Sequence, residues 1–566
     1  MSSQEPTSSP ARVGLMNRLL GHRDNHWTIG AFLVAGLVIL PVAAILTLAF
    51  NPEENIWPHL FDTMLPRYVA NTLQLMLGVG GGVFLIGVGT AWLVTMCRFP
   101  GKRYFEWALL LPLAMPGYVV AYVYTDLLEY AGPVQSSLRA LFDWQLKSDY
   151  WFPEIRTTGG AIAMLSLVLY PYVYLLTRAA FLQQSVCVLE AGRVLGRSPW
   201  QCFWSIALPM ARPAIVIGMA LAMMETLNDF GTIDFFGVHT LTAGVFDVWM
   251  EMGNLGGAAQ ISLVMLAFVI ALLWIERTSR KGQRYHNTTT RYKSLKGFQL
   301  GGAANIGAAL ACLTPILLGF AIPAATLTYY AVMNWQQSWT PEYFTYAGNS
   351  LMLSAAAALI AVLIGLFLAY ALRLGKSPAL KAATRIANVG YAMPGAVLAI
   401  GVLIPFARFD NAVDAVMREH FGISTGLMLS GTAVAIIFAY SVRFLTVGMG
   451  GVESALLKVT PNMDDAARTL GERPLGVLRR VHLPMIKSGL LGGGILVFVD
   501  GMKELPATLI LRPFNFDTLA TFVYQFASDE LLEESALGAL TIVAAGILPV
   551  ILLSRAIRTS RPGHSN

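Results

Sequence analysis

Charge is what this sequence has least of. Asp, Glu, Lys and Arg supply 13% of its 566 residues, about half of the roughly 25% found in an ordinary soluble domain. A chain so poor in charge cannot coat several water-facing domains. Cysteine is scarce as well: Cys97, Cys187, Cys202 and Cys312 are scattered, without a C-x-x-C pair, which excludes a disulfide framework and the usual zinc spacings. They read as small apolar fillers. No histidine cluster or catalytic triad is present, and His239 stands alone, so a membrane-embedded enzyme lacks its chemistry. A nucleotide-binding P-loop is missing too. The glycine-lysine-serine at Gly375-Lys376-Ser377 would need a glycine at position 370, where the chain has Tyr370.

What the sequence has in abundance is apolar length. Hydrophobic residues make up 55%, and a helix crosses the hydrocarbon core with about 20 of them. Candidate spans are 28–50, 72–97, 105–128, 160–183, 213–237 and 259–276, then 303–330, 350–373, 384–407, 426–447, 489–512 and 536–555. The fold class is therefore all-α integral membrane protein with about twelve transmembrane helices. Residues 1–27 are polar and no A-x-A site follows closely, so the first span reads as a retained membrane helix.

Orientation follows from the basic residues. Arg12, Arg18 and Arg23 place the N-terminal segment 1–27 in the cytoplasm, whereas residues 51–66 carry Glu53, Glu54 and Asp62 and no Lys or Arg. The alternation continues through a basic linker at 277–302, an acidic outside loop at 513–535, and a tail at 556–566 with Arg558 and Arg561. Both termini are expected to be cytoplasmic, in an inner membrane. The net charge of +6 lies in these short segments, a topological signal rather than a nucleic-acid footprint.

The chain is also duplicated. An offset of 275 lays Glu190-Ala191-Gly192-Arg193-Val194-Leu195-Gly196 on Asp465-Ala466-Ala467-Arg468-Thr469-Leu470-Gly471. The same offset pairs Pro199 with Pro474, Leu208 with Leu483, Pro209 with Pro484 and Met210 with Met485. Met115-Pro116-Gly117 recurs as Met393-Pro394-Gly395, and Asn71-Thr72-Leu73 as Asn349-Ser350-Leu351. Six spans per half give both halves the same orientation, so the chain reads as tandem six-helix repeats, 28–276 and 303–555. The duplicated stretches, 189–209 and 464–484, fall on the cytoplasmic side. Each reads as a short helix stopped by glycine, then a second helix begun at Pro199 or Pro474 and broken near Leu208-Pro209 or Leu483-Pro484. Ser198 is an expected cap; Arg473 stands where its counterpart would be.

Ionisable residues inside spans are costly and are functional candidates. Glu225 and Asp229 lie in the fifth span, and the offset of 275 maps them onto Asp500 and Glu504 in the eleventh. Four residues apart on a helix, each pair shares one face, and four carboxylates across the axis would make an acidic pathway suited to a hard cation. Structural pairing, for example with Lys503, is the competing reading. Met115 and Met393 sit where proline and glycine loosen the third and ninth helices near the axis; plain helix packing explains them equally well. Tyr170, Tyr172 and Tyr174 are weak ligand candidates, because tyrosine is common near membrane interfaces.

The paired stretches resemble the coupling-helix signature of permeases in binding-protein-dependent ABC importers: E-A-A, three residues, G, then about nine residues to a hydrophobic-x-L-P. Gly192 departs from it at the third position and Asp465 at the first. The resemblance implies a type I importer permease fold. It also implies that Glu190, Ala191, Arg193, Gly196, Leu208 and Pro209, with Asp465, Ala466, Arg468, Gly471, Leu483 and Pro484, engage two separate ATP-binding subunits. This chain would bind no cofactor itself, ATP and Mg residing on those partners. The segments Glu225-Thr226-Leu227-Asn228-Asp229-Phe230-Gly231-Thr232 and Lys503-Glu504-Leu505-Pro506-Ala507-Thr508-Leu509 look like those of fused ferric-iron permeases, which receive Fe(III) from a periplasmic binding protein. Permeases for thiamine or phosphonates share the plan, and a secondary transporter would share twelve spans in two halves.

Overall fold

The structure, a computed structural model, describes residues 25–183, 192, 194–280, 297–375, 377–457 and 459–559. Eleven helices are long and apolar enough to cross a bilayer, and a bent pair makes a twelfth span. In order they are Asn25–Phe50, Leu65–Met96, the bent pair Lys102–Ala114 with Gly117–Phe142, Thr158–Gln183, Pro199–Asn228 and Leu255–Arg280. The second half follows with Gly302–Met333, Pro341–Leu374, Gly395–Phe421, Ala433–Leu456, Pro474–Met502 and Leu532–Thr559. Their succession confirms a multi-pass membrane protein. Among the described residues the strands are a single short contact, Cys97–Arg98 parallel to Phe298–Gln299.

The two repeats are not independent bundles. Spans two to four form one core together with the seventh and twelfth spans. Spans eight to ten form the other together with the first and sixth. Each half therefore lends its outermost helices to its twin. Trp27 of the first span stacks on Phe367 of the eighth at 5.3 Å. In return, the Tyr124 hydroxyl of the third donates to the Leu318 carbonyl of the seventh at 2.7 Å. Tandem order in sequence thus becomes interlocking order in space.

The repeated Asn-Thr/Ser-Leu stretch has a structural explanation. Asn71 Nδ2 donates to the His239 carbonyl at 2.8 Å and Thr72 Oγ1 accepts from Leu241 N at 3.0 Å. Asn349 and Ser350 repeat both contacts with Asp517 and Leu519, at 2.9 and 2.8 Å. The motif fastens a short helix of each half, Leu241–Phe246 and Leu519–Ser528, to the second and eighth spans respectively.

The duplicated stretches differ from expectation in one respect. Prolines at 209 and 484 do not break the chain. The helix begun at Pro199 runs on to Asn228, and that begun at Pro474 runs on to Met502. A π turn precedes each proline, Phe203–Ala207 in one copy and Leu478–His482 in the other. Its longer hydrogen-bond ring absorbs the register around a residue that has no N–H to donate. The second short helix of each pair is thus the root of the next span. The first is seen as Pro461–Thr469 in the second copy. In the first copy, Glu190, Ala191 and Arg193 lie outside the described residues.

Candidate functional site: a charged cavity between the halves

Four spans are interrupted at mid-length, each near one of the repeat-matched motifs. The third bends by 91° around Met115-Pro116, where Pro116 is extended at φ −63, ψ 141. The ninth is divided between Pro378–Ala387 and Gly395–Phe421. The fifth stops at Asn228, and a short helix restarts at Gly231. The eleventh stops at Met502 and restarts at Pro506. Asp229 and Glu504 therefore do not share a helical face with Glu225 and Asp500 as expected. They occupy the breaks, because a carboxylate there meets helix N-termini.

Asp229 Oδ1 accepts from Thr232 N at 2.8 Å, and Oδ2 accepts from Thr232 Oγ1 at 3.0 Å. It caps the short helix Gly231–Phe235 as an N-terminal carboxylate does. Glu504 Oε1 accepts from Ala507 N at 3.3 Å at the start of Pro506–Leu511. Gly117 and Gly395, each the first residue of its helix, let these carboxylates approach. A Cβ on Gly117 would stand 2.8 Å from Asp229 Oδ2, and one on Gly395 would collide with Glu504 Oε1. The repeated Met-Pro-Gly is thus a break plus a clearance for its acid.

All four carboxylates line one cavity of about 90 Å³, with Met115, Tyr172, Asn228, Arg443 and Lys503. Two of the four carboxylates are paired with cations. Lys503 Nζ lies 3.0 Å from Asp500 Oδ1, and Arg443 Nη1 lies 2.9 Å from Glu504 Oε1. Two cations among four carboxylates leave a formal charge of −2. Among the described residues Glu225 makes no side-chain hydrogen bond or ion pair, and Arg443, Lys503 and Asp500 are its charged neighbours. Met393 is buried in the second core away from the cavity, unlike its twin Met115. Tyr170 and Tyr174 are packed in the first core, so of the three tyrosines Tyr172 alone reaches the cavity. Among the described residues no group of three His, Cys, Asp or Glu is placed to hold a metal ion.

Arg443 escaped the sequence reading, although the rule that singled out the acids applies to an arginine in the span 426–447. The residue is 5% exposed. Nη1 also donates to Asn228 Oδ1 at 2.8 Å, and the same oxygen accepts from Gly395 N at 2.6 Å.

The duplicated stretches lie at the opposite ends of the fifth and eleventh spans from the breaks. Gly196 and Gly471 adopt φ +79 and +86, the left-handed stop expected after each first helix. Ser198 forms a capping box with Gln201, while Arg473 offers no side-chain cap. Leu195 and Leu470, matched in the repeat, are 79% and 85% exposed. Pro209, Asp465, Ala466, Arg468 and Pro484 are also exposed, and Leu208 and Leu483 half-buried. Asp465 pairs with Arg468 at 3.3 Å. Behind this surface Asp464 accepts from Arg373 Nε at 2.7 Å and lies 2.7 Å from His482 Nε2. Burial alone would raise the Asp464 carboxyl, but the bonds from Arg373 and His482 outweigh it and hold it below the usual carboxylate range.

Comparison with known proteins places these features. The family described as binding-protein-dependent transport system inner membrane component matches residues 56–284 and 361–560, one stretch in each half. The chain is 26% identical over 508 residues to an Fe(3+)-transport system permease protein of Haemophilus influenzae, covering 88% of this chain and 91% of the relative. It is 22% identical over 514 residues to a ferric transport system permease protein of Actinobacillus pleuropneumoniae, covering 85% and 70%. A molybdenum transport system permease protein of Escherichia coli is 30% identical over 228 residues, 38% of this chain and 96% of the relative.

Proposed function

This chain belongs to the family of inner membrane components of binding-protein-dependent transport systems, and we propose that within such a system it is the permease for ferric iron. Its partners are a periplasmic Fe(III)-binding protein, which delivers the cargo, and two ATP-binding subunits. Those subunits carry ATP and Mg and dock on the surfaces around Leu195 and Leu470 from the cytoplasmic side. Both termini share that side. ATP-driven closure of the partners draws the docked segments together and opens the cavity outward; hydrolysis returns it to face inward.

One observation carries the cargo assignment: the cavity between the halves holds four carboxylates against two cations. Hard oxygen donors and a net negative field favour a hard cation. Helix N-termini at the breaks would by themselves favour an anion, as in an oxyanion permease. Here Asp229 and Glu504 already accept those amides, so the positive ends are neutralised. A volume of about 90 Å³ holds a small ion with a few waters and is below the roughly 300 Å³ of pockets for drug-sized ligands, which argues against thiamine.

The test uses the complete transporter in proteoliposomes with its binding protein loaded in turn with Fe(III), molybdate, sulfate, a phosphonate or thiamine. Fe(III) is expected to stimulate ATP hydrolysis and to accumulate inside. Stimulation by one of the other cargoes with none by Fe(III) would overturn the assignment.

A further inference from the structure

Arg443 is buried, yet its partners belong to both halves. Glu504, 2.9 Å away, is its neighbour within the second half; Asn228, 2.8 Å away, ends the fifth span of the first. Asn228 is tied in addition to Gly395 N, the first amide of the ninth span's main helix. One guanidinium thus knots three of the four interrupted spans at the place where the halves meet. The offset of 275 puts Val168 opposite Arg443 and Lys503 opposite Asn228, so the first half has no such knot. Asp229, the twin of Glu504, is instead held by the backbone and hydroxyl of Thr232, three residues on.

We propose that Arg443 is a tethered counter-ion that latches the two halves together through Glu504 and Asn228, and that a cargo cation opens the latch by competing with the guanidinium for the Glu504 carboxylate. The argument is electrostatic. A buried carboxylate separated from its partner is strongly destabilised, so thermal opening of the pair is rare. A multivalent cation entering the same cavity offers Glu504 a stronger partner and removes that penalty. A neutral solute or an anion gives Glu504 nothing in exchange. Selectivity and timing are then set by one residue, Arg443, in one half.

This rests on the importer reading, and the experiment separates the two. The complete transporter, with its ATP-binding subunits, is reconstituted as wild type, Arg443→Gln, Asn228→Ala and the charge-neutral double variant Arg443→Met/Glu504→Gln. Hydrolysis is measured without cargo and with Fe(III)-loaded binding protein. Arg443→Gln is expected to raise cargo-free hydrolysis several-fold and to abolish further stimulation by cargo; Asn228→Ala moves the same way, less far. Arg443→Gln that assembles and retains the wild-type cargo-free rate and stimulation would overturn the latch. Should that variant fail to assemble, the double variant, which leaves no unpaired buried charge, decides in the same way. Failure of both to assemble would make the pair a structural strut and equally overturn the proposal. Elevated cargo-free hydrolysis in a transporter whose wild type ignores Fe(III) would keep the latch and remove the iron assignment.

Discussion

Asp464 and His482 meet at 2.7 Å behind the second duplicated stretch, and Arg373 closes the other side of the carboxylate. Among the described residues the first half shows no such cluster. The sequence places Thr95, Leu189 and Ala207 at the matching positions, and Trp92 packs edge-on against Phe203 and Phe181 at 5.1 and 5.7 Å instead. One elbow is held by charge and the other by aromatic packing. Losing the charged elbow through Arg373→Ala should cost about 1.5–3 kcal/mol, the range for hydrogen bonds to charged groups. Because the folded Asp464 carboxyl is held low, its stabilisation is full above the unfolded carboxyl value of about 3.9 and fades as pH falls through the folded value. Thermal midpoints of wild type and Arg373→Ala should differ constantly between about pH 5 and 8 and converge below about pH 4. A gap that persists in acid would assign the effect to packing.

The four carboxylates of the cavity should separate by role. Among the described residues Glu225 has no bonded partner, so Glu225→Gln should assemble normally and reduce uptake of radiolabelled iron sharply. Asp229 caps a helix. Asparagine caps as well as aspartate, while alanine loses about 1 kcal/mol, so Asp229→Asn should keep stability and Asp229→Ala should not. The double variant Asp229→Asn/Glu504→Gln leaves Arg443 without its carboxylate, so it should lose stability as well as uptake; a normal rate of uptake would contradict the acidic pathway.

The spans were legible because apolar runs of that length admit few alternatives. The duplication was legible because Leu-Pro, Met-Pro-Gly and Asn-Thr/Ser-Leu recur at nearly constant spacing. The exchange of outer helices was not, since nothing in a helix such as Asn25–Phe50 says which apolar neighbour it will cover. The helices' passage through Pro209 and Pro484 was hidden too: a proline reads as a break unless a π turn is known to precede it. The carboxylates were found and their geometry was not. Asp229 and Glu504 sit just past helix ends. The break after Asn228 has no proline to announce it, whereas the break after Met502 is announced by Pro506, which the apolar run 489–512 disguises.

Gly117→Ala and Gly395→Ala test whether the repeated glycine serves its acid. Alanine is otherwise favourable in a helix, so any loss arises from the clash. A Cβ at 117 meets Asp229 Oδ2 at 2.8 Å and Leu165 Cδ2 at 3.1 Å, whereas one at 395 also meets Arg443 Nη1 at 2.5 Å. Gly395→Ala should therefore lower uptake the more strongly of the two, with both proteins still inserted in the membrane. Equal effects would mean that the two acids are interchangeable.

Gly196 and Gly471 allow the two duplicated stretches to be compared on equal terms. Both have positive φ, and a Cβ on either meets nothing within 4 Å. Alanine at each should therefore impose the same backbone penalty, roughly 1–2 kcal/mol, and asparagine a smaller one. The stretches themselves are unequal: Arg197-Ser198 in one answers to Glu472-Arg473 in the other. The Ser198 capping box has no counterpart at Arg473, and Trp200 and Trp204 answer to Leu475 and Arg479. If two identical ATP-binding subunits dock here, one groove accepts two different helices. Equal strain should then produce unequal uncoupling, read as iron taken up per ATP hydrolysed in Gly196→Ala against Gly471→Ala. Equal ratios would show that the halves drive transport alike and that the charged elbow at Asp464 stabilises without steering.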